Sequence, residues 1–579
     1  MKKNKYIIGI NFLHSDSSAC LFSNNNLIAA AEEERFVRFK HTSNFPINAI
    51  KFCLNIANID LSDVDFITIN TNPSSSLIKK ISFLIKNPLS LTIAFNSLLN
   101  TKKKLTLIEN IQILDNKKKF NGKIIYIDHH ISHVSSSLYF SNFDKCANIS
   151  VDGFGDFAST SWGLYDNGNL KITNKIFFPH SLGIFYQSLT QFIGFRSYGD
   201  EYKLMGLAPY GKPKYTEQLY EIINKTEKGF ELNLEYFLHH KKKIFEINDN
   251  GQFIYKNLFT SKLNKLFGHQ RNKNEKITEY HFDLACSVQK VYEDIFFHLL
   301  NKVYDQFKLN SLTISGGCAM NSVANGKIKK NTKFENIYIS PNPGDAGGAV
   351  GSASFFLKNN LKMEPKVKSY AFLGNSFTDE KIHQIIEKKE LNSKFKIEYF
   401  KDEKLFKYVA KLIASEKIVG WYQGKMEWGP RALGNRSILA DPRNKEIKNI
   451  INSKIKRRES FRPFAPSILK DYTKDWFEID SDVPFMSEVY MIKKNKRGII
   501  PGITHVDGSG RLQTVTNTNN LRYFKLIQEF YNLTKVPILL NTSFNENEPI
   551  VNKPEEAINC FERTMMDNLV LGNWIISRS

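Results

Sequence analysis

The stretch Ala147-Asn-Ile-Ser-Val-Asp-Gly-Phe-Gly-Asp156 opens a run that decides the fold. Ala147 to Val151 predicts a strand, and Asp152 to Asp156 is a glycine-rich polar turn. Ser159 to Tyr165 predicts a second strand, Asp166-Asn167-Gly168 a second turn, and Leu170 to Phe177 a third strand. The same order stands at the start of the chain. There Tyr6 to Asn11, Ala19 to Phe22 and Leu27 to Ala31 read as strands, with a polar turn from Ser23 to Asn26. Two copies, alike in pattern and not in identity, predict a duplicated α/β core.

Downstream of the second copy, helical periodicity runs from about Asp283 to Phe307. The strand Ser311 to Ser315, a glycine-rich turn, a helix, the strand Asn336 to Ser340 and a second glycine-rich turn follow. That alternation implies parallel strands joined by crossover helices. Residues 239–276, rich in Lys and Asn, read as a surface insertion, and Lys358 to Lys368 as a linker. Beyond it, helices from Asp379 and Asp402 alternate with strands Lys396 to Phe400 and Ile418 to Tyr422. The expected division is a first domain of residues 1–361 and a second α/β domain of residues 362–579.

Composition narrows the class. Apolar residues at 42% and charged residues at 24% are those of a folded globular chain, against disorder, collagen or a membrane bundle. Lys and Arg total 80 against 58 acidic residues, a net charge of +22 that suits polyanionic partners but also follows from a Lys- and Asn-rich, AT-biased composition. Six cysteines without a C-x-x-C pair argue against a zinc knuckle or a disulfide scaffold and fit a reducing cytoplasm. Lys2, Lys3 and Lys5 precede an apolar stretch, but Asn11, His14, Ser15 and Asp16 interrupt it too soon for a secretory signal. The most membrane-like window, Ile81 to Leu99, is broken by Lys86, Asn87, Pro88 and Asn96, so a covering helix or loop is expected there and no transmembrane segment.

Two clusters carry chemistry. His129 and His133, in a helix opened by Asp128, are four apart and share one face, where both can ligate one metal ion. Asp152, at the end of its strand, and Asp345, between a strand and a helix, belong to turns that parallel folds gather at one crevice. Two imidazoles plus carboxylates suit Fe(II), Mn(II) or Zn(II). Histidines at this spacing also cap and pack helices, and aspartates also stabilise turns through Asx hydrogen bonds.

No G-x-x-x-x-G-K-[ST] motif occurs. Instead Gly316-Gly-Cys-Ala-Met-Asn321 and Pro343 to Gly351 each lead from a strand into a helix, leaving backbone amides to face an anion at Gly316, Gly317, Asn321 and Gly344. With the Asp-Gly-x-Gly loop they suggest the architecture of actin, sugar kinases and chaperone ATPases. In the second domain, Gly424 to Ser437 is followed by Asp441-Pro-Arg443, by Lys454, Lys456, Arg457 and Arg458, and by Ser460-Phe-Arg-Pro-Phe-Ala-Pro466. Arginines fixed beside Gly and Pro turns are rigid forks for phosphate oxygens. Their dense packing favours a pocket for a small phosphorylated ligand over an open nucleic-acid groove, so no nucleic acid is expected.

The chain resembles the O-carbamoyltransferases of antibiotic and nodulation-factor biosynthesis, of the NodU, CmcH and TobZ type. The resemblance rests on Glu32-Glu-Glu-Arg-Phe36, Asp128 to His133, Ser150-Val-Asp-Gly153, Tyr202 to Gly211, Gly316 to Asn321, Gly424 to Arg443, Ser460 to Pro466 and Pro537 to Phe544. It implies a TsaD-like, actin- and sugar-kinase-like (RNase H-like) N-terminal domain, followed by a YrdC-like domain. The resemblance further implies that the second domain makes carbamoyl adenylate from carbamoyl phosphate and ATP with Mg(II). The first, with Fe(II) or another divalent metal, then transfers the carbamoyl group to a hydroxyl.

The metal ligands of the family fall on His129, His133, Asp152 and Asp345. The activating site falls on Arg431, Lys456, Arg462, Arg511, Asn541 and Ser543, to which Arg436 and Arg443 are added on charge alone. The family's usual first-turn His-Asp pair is altered here. If Asp16 aligns with that aspartate, Ser15 holds the histidine's place, leaving His14 as the candidate base. Glu33 and Lys40 are weaker candidates for acceptor contacts. The expected acceptor is a hydroxyl of a sugar, a polysaccharide precursor or a secondary metabolite, and a homo-oligomer is compatible with the sequence. Two other readings are a tRNA threonylcarbamoylation-type enzyme, against which the motifs and domain order speak, and a sugar-kinase-like ATPase or silent binding protein, which leaves the second basic cluster without a role.

Overall fold

The computed structural model describes residues 4–12, 14–86, 107, 109–111, 114 and 120–578. The chain divides into two compact units, one of residues 1–324 and 328–368 and one of residues 325–327 and 369–579.

The first unit holds two five-stranded sheets of the same construction. Strands β1 (Tyr6–Asn11), β2 (Ser18–Ser23), β3 (Asn26–Glu32), β4 (Phe66–Ile69) and β5 (Lys123–Tyr126) lie in the order β3-β2-β1-β4-β5. Helix α1 (His129–Leu138) follows. The second copy comprises β6 (Lys145–Gly155), β7 (Ala158–Asp166), β8 (Asn169–Phe177), β9 (Ser311–Ser315) and β10 (Asn336–Ile339), in the order β8-β7-β6-β9-β10. In each copy an antiparallel meander of three strands is extended by two parallel strands. This repeat of order and direction is the duplicated α/β core expected from the sequence. Helix α2 (Gly347–Asn359) is buried along most of its length, and a Cβ on Gly351 would lie 1.8 Å from the Ser132 carbonyl oxygen, so only glycine lets it approach α1 this closely.

Three expectations are adjusted. The Asp152–Gly155 segment is not a separate turn: β6 continues through it, with the register shifting between Val151 and Gly155. The glycine-rich turn after Ser315 is a 3-10 turn, Gly317–Met320, and the helix expected beyond it is split into two single turns, Ser322–Asn325 and Ile328–Asn331. The insertion at 239–276 contains a hairpin, Phe245–Ile247 with Phe253–Tyr255, and a helix, Lys262–Phe267. The hairpin's turn is pinned by the Ser43 amide, which donates to the Gly251 carbonyl at 2.7 Å.

The second unit is built on one mixed nine-stranded sheet. Its central strands include Arg436–Ala440, Ile538–Ser543, Ala465–Leu469 and Ser509–Val515, hydrogen-bonded in that spatial order. Helices Asp379–Lys388 and Asp402–Ala414 stand where the sequence predicts them, and their apolar faces join the core around Trp421, Ile438 and Leu539. Among the described residues no helix is long and apolar enough to cross a membrane. The window Ile81 to Leu99 lies outside the described residues from position 87 onward. All six cysteines are free thiols.

Candidate active site

Helix α1 is positioned by the groups at its N-terminus. Asp128 caps it, Oδ1 accepting from the Ile131 amide at 3.1 Å, and its Oδ2 pairs with Lys175 Nζ at 2.8 Å. Asp156 accepts from the His129 amide at 2.9 Å, from the Asn72 amide at 2.7 Å and from Thr71 Oγ1 at 2.8 Å, tying the helix start to the segment after β4. The sequence reading took Asp156 only as a turn residue; its place as the second aspartate of Asp-Gly-x-Gly-Asp was the available signal. The i, i+4 spacing then brings His129 and His133 together edge to face, their Nε2 atoms 2.9 Å apart, while His130 turns away to Ser150.

Asp152 and Asp345 close this pair from the other side. Asp152 Oδ2 lies 3.2 Å from His129 Nε2 and 3.6 Å from His133 Nε2, and Asp345 Oδ1 lies 3.6 Å and 3.4 Å from the same atoms. One ligand atom from each of the four residues falls within 4.8 Å of the other three. Burial disfavours charge on His133, yet hydrogen bonds and the charges of Asp152 and Asp345 raise it to about 10. Burial likewise disfavours a charged Asp152, but hydrogen bonds from His129 and His133 hold it well below the usual carboxylate range. The cluster therefore favours an added positive charge at its centre. Asp345 Oδ1, buried and facing the two imidazoles, points the same way. Two imidazoles and two carboxylates fit a divalent first-row cation.

His14 lies beside this centre, its ring centroid 4.4 Å from that of His129. Burial and then the neighbouring His129 lower it to about 4, against the pull of Asp345 and Asp152. Glu33 is engaged elsewhere: its carboxylate accepts from Asn48 Nδ2 at 2.6 Å and from the Ala49 amide at 2.8 Å, holding the first turn of helix Ile47–Ala57. Lys40 is half-buried, and its carbonyl accepts from Gln252 Nε2.

The glycine turns are partly used within the protein. The Gly316 amide donates to the Pro343 carbonyl at 2.8 Å, and the Gly317 amide to Asp152 Oδ1 at 2.8 Å. The Gly344 carbonyl accepts from the Gly347 amide, and Asn321 exchanges hydrogen bonds with Gln289.

In the second unit, Arg511 is the focus of a cationic cluster. Burial and the like charges of Arg431, Arg458 and Arg462 push its guanidinium well below the usual range, and its Nε is buried without a hydrogen-bond partner. A guanidinium keeps its proton, so such a group of like charges favours an anion. Nearby, Asn541 Nδ2 donates to the carbonyl of Ala432, adjoining Arg431, and its Oδ1 is buried without a partner.

Other residues expected here hold the domain together. Arg436 donates to the carbonyls of Gln423, Asn435, Asn375 and Gly424 and lies over the Tyr422 ring. Arg443 forms a fork with Asp441, with Nη2 2.6 Å from Oδ2. Lys456 Nζ donates to the Ser543 carbonyl and, at 2.7 Å, to Asn545 Oδ1.

A paired meander core, a histidine–aspartate cluster and an arginine cluster are carried by one chain. The chain belongs to the carbamoyltransferase family: a model of the carbamoyltransferase N-terminus matches residues 6–354, and one of the carbamoyltransferase C-terminus matches residues 410–578. Nodulation protein NolNO of Sinorhizobium fredii is 34% identical, over 98% of this chain and 79% of that one. Uncharacterized protein sll1178 of Synechocystis sp. is 37% identical, over 99% and 97%. Among solved structures, HypF of T. kodakarensis is 13% identical over 61% of this chain and 47% of that one, with a TM-score of 0.29, too slight a likeness to carry an argument.

Proposed function

We propose that the chain is an ATP-dependent O-carbamoyltransferase whose two units divide the reaction. Water opens carbamoyl phosphate to carbamate and inorganic phosphate; a carbamate oxygen attacks the α-phosphorus of ATP, and pyrophosphate leaves. The second unit's arginines neutralise the phosphates during this step, Arg511 with Arg431 and Arg462 foremost. Carbamoyl adenylate then meets the acceptor in the first unit. The acceptor hydroxyl attacks the carbamoyl carbon, AMP leaves, and His14 takes the hydroxyl proton. His129, His133, Asp152 and Asp345 hold a divalent cation, Fe(II) by family resemblance, which supplies Lewis-acid stabilisation of negative charge when bound. The acceptor class is a sugar, polysaccharide precursor or metabolite hydroxyl.

One observation carries this reading: within one carbamoyltransferase chain, four clustered guanidiniums favour an anion while a His2Asp2 cluster favours a cation. The test is carbamoyl phosphate-dependent release of pyrophosphate from ATP, measured beside transfer to an acceptor. Arg431→Ala is expected to lower release by about 100-fold or more, the scale for losing an electrostatic donor. His129→Ala is expected to leave release intact and stop transfer. Equal loss of release in both variants would overturn the division of labour.

A further inference from the structure

The two carboxylates of the histidine–aspartate cluster are held in the same manner. Each gives one oxygen to a protein donor and presents the other to the imidazoles. For Asp152 the donor is the Gly317 amide, 2.8 Å from Oδ1, and Oδ2 faces His129 and His133. For Asp345 the donor is Ser15 Oγ, 2.8 Å from Oδ2, and Oδ1 faces the same rings. A carboxylate free to rotate would offer a cation both oxygens or neither at random; one tethered through a single oxygen offers the other in one direction.

The Ser15 hydroxyl is itself directed. It has one proton, which goes to Asp345, so the neighbouring Tyr198 hydroxyl donates to Ser15 Oγ. Tyr198 is fixed in turn by stacking on Tyr255, with centroids 5.7 Å apart and planes 15° apart, and by the edge of His41 at 5.2 Å. A donor that is also an acceptor is polarised and becomes the stronger donor.

We infer that Ser15, oriented by Tyr198, is a positioning residue of the cation centre, tethering Asp345 Oδ2 so that Oδ1 alone faces the ion. The inference rests on the reading of that centre given above and adds to it a side chain that stands where the resemblance leads one to expect a histidine. Ser15 touches neither the imidazoles nor the transferred group in this role; it acts through Asp345.

The experiment is chelator-competition titration of the full chain with Fe(II) under anaerobic conditions, repeated with Mn(II). Thermal melting and carbamoyl phosphate-dependent pyrophosphate release serve as controls for folding. Ser15→Ala is expected to weaken cation affinity by about 10- to 100-fold, the usual cost of removing an outer partner of a metal ligand. Ser15→Thr keeps the hydroxyl and is expected to restore affinity, and Tyr198→Phe to show a smaller loss in the same direction. A Ser15→Ala protein that binds the cation like the unaltered chain, or a Ser15→Thr protein as impaired as Ser15→Ala, overturns the inference alone. An unaltered chain that takes up neither cation overturns both the inference and the reading of the centre.

Discussion

His41 is flanked by Asp16, whose Oδ1 accepts from its Nδ1 at 2.7 Å, and by Glu34, which accepts from its backbone amide at 3.1 Å. Burial and Lys40 oppose a charge on the ring, but the two carboxylates outweigh them and raise His41 to about 9. A folded-state value above the unfolded one means that the protonated ring contributes stability fully below about 6.5, and that this contribution fades as pH rises through 9. The chain is therefore expected to lose stability between pH 7 and 9, and His41→Gln to flatten that slope in urea unfolding; parallel slopes in the two proteins would refute the pairing. In the sequence, Asp16 stands out as the match to the family's first-turn aspartate, and nothing marks His41 as its partner. The sequence likewise shows the charges of Arg436, Arg443 and Lys456 but not their partners, and it is carbonyls and Asp441 that decide what those charges do. Residues paired by a spacing, His129 and His133, were legible; the chain of contacts from Tyr198 through Ser15 to Asp345, which joins three distant places in the sequence, was not.

The element that carries the paired histidines depends on how closely a strand passes it. A Cβ built on Gly155 would lie 2.0 to 2.4 Å from ring atoms of His129, so β6 can run beside α1 only as glycine. Such an overlap cannot be relieved without moving the ring or the strand. Gly155→Ala is expected to destabilise the fold by about 1–3 kcal/mol, the usual range for overpacking. It is also expected to weaken transfer far more than pyrophosphate release. Equal damage to both activities, or damage to neither, would show that this contact does not position His129. The glycines of Asp-Gly-x-Gly-Asp were visible in the sequence and were read as a turn. Sequence shows that a chain needs glycine at a position; whether the reason is a bend or a neighbour's ring is settled only by the packing.

At the scale of the molecule, the duplicated core was legible because each copy opens with three strands separated by polar turns, whereas Phe66–Ile69, the fourth strand of the first sheet, was not read. The order of the nine-stranded sheet was not legible, because it pairs strands far apart in the chain, such as Arg436–Ala440 with Ile538–Ser543. Two units with opposite electrostatic needs make a crossed prediction about stability. A ligand that binds only the folded state stabilises it by about 2.7 kcal/mol at a hundred times its Kd. Mn(II) is therefore expected to raise the melting temperature of the unaltered chain and of Arg431→Ala, but not of His129→Ala. Carbamoyl phosphate with an ATP analogue resistant to cleavage between the α- and β-phosphates is expected to do the reverse, stabilising His129→Ala and not Arg431→Ala. Scanning calorimetry of the three proteins with each ligand reads all the combinations. If one substitution abolished both responses, the cation and the nucleotide would share a single site, and the assignment of one to each unit would fail.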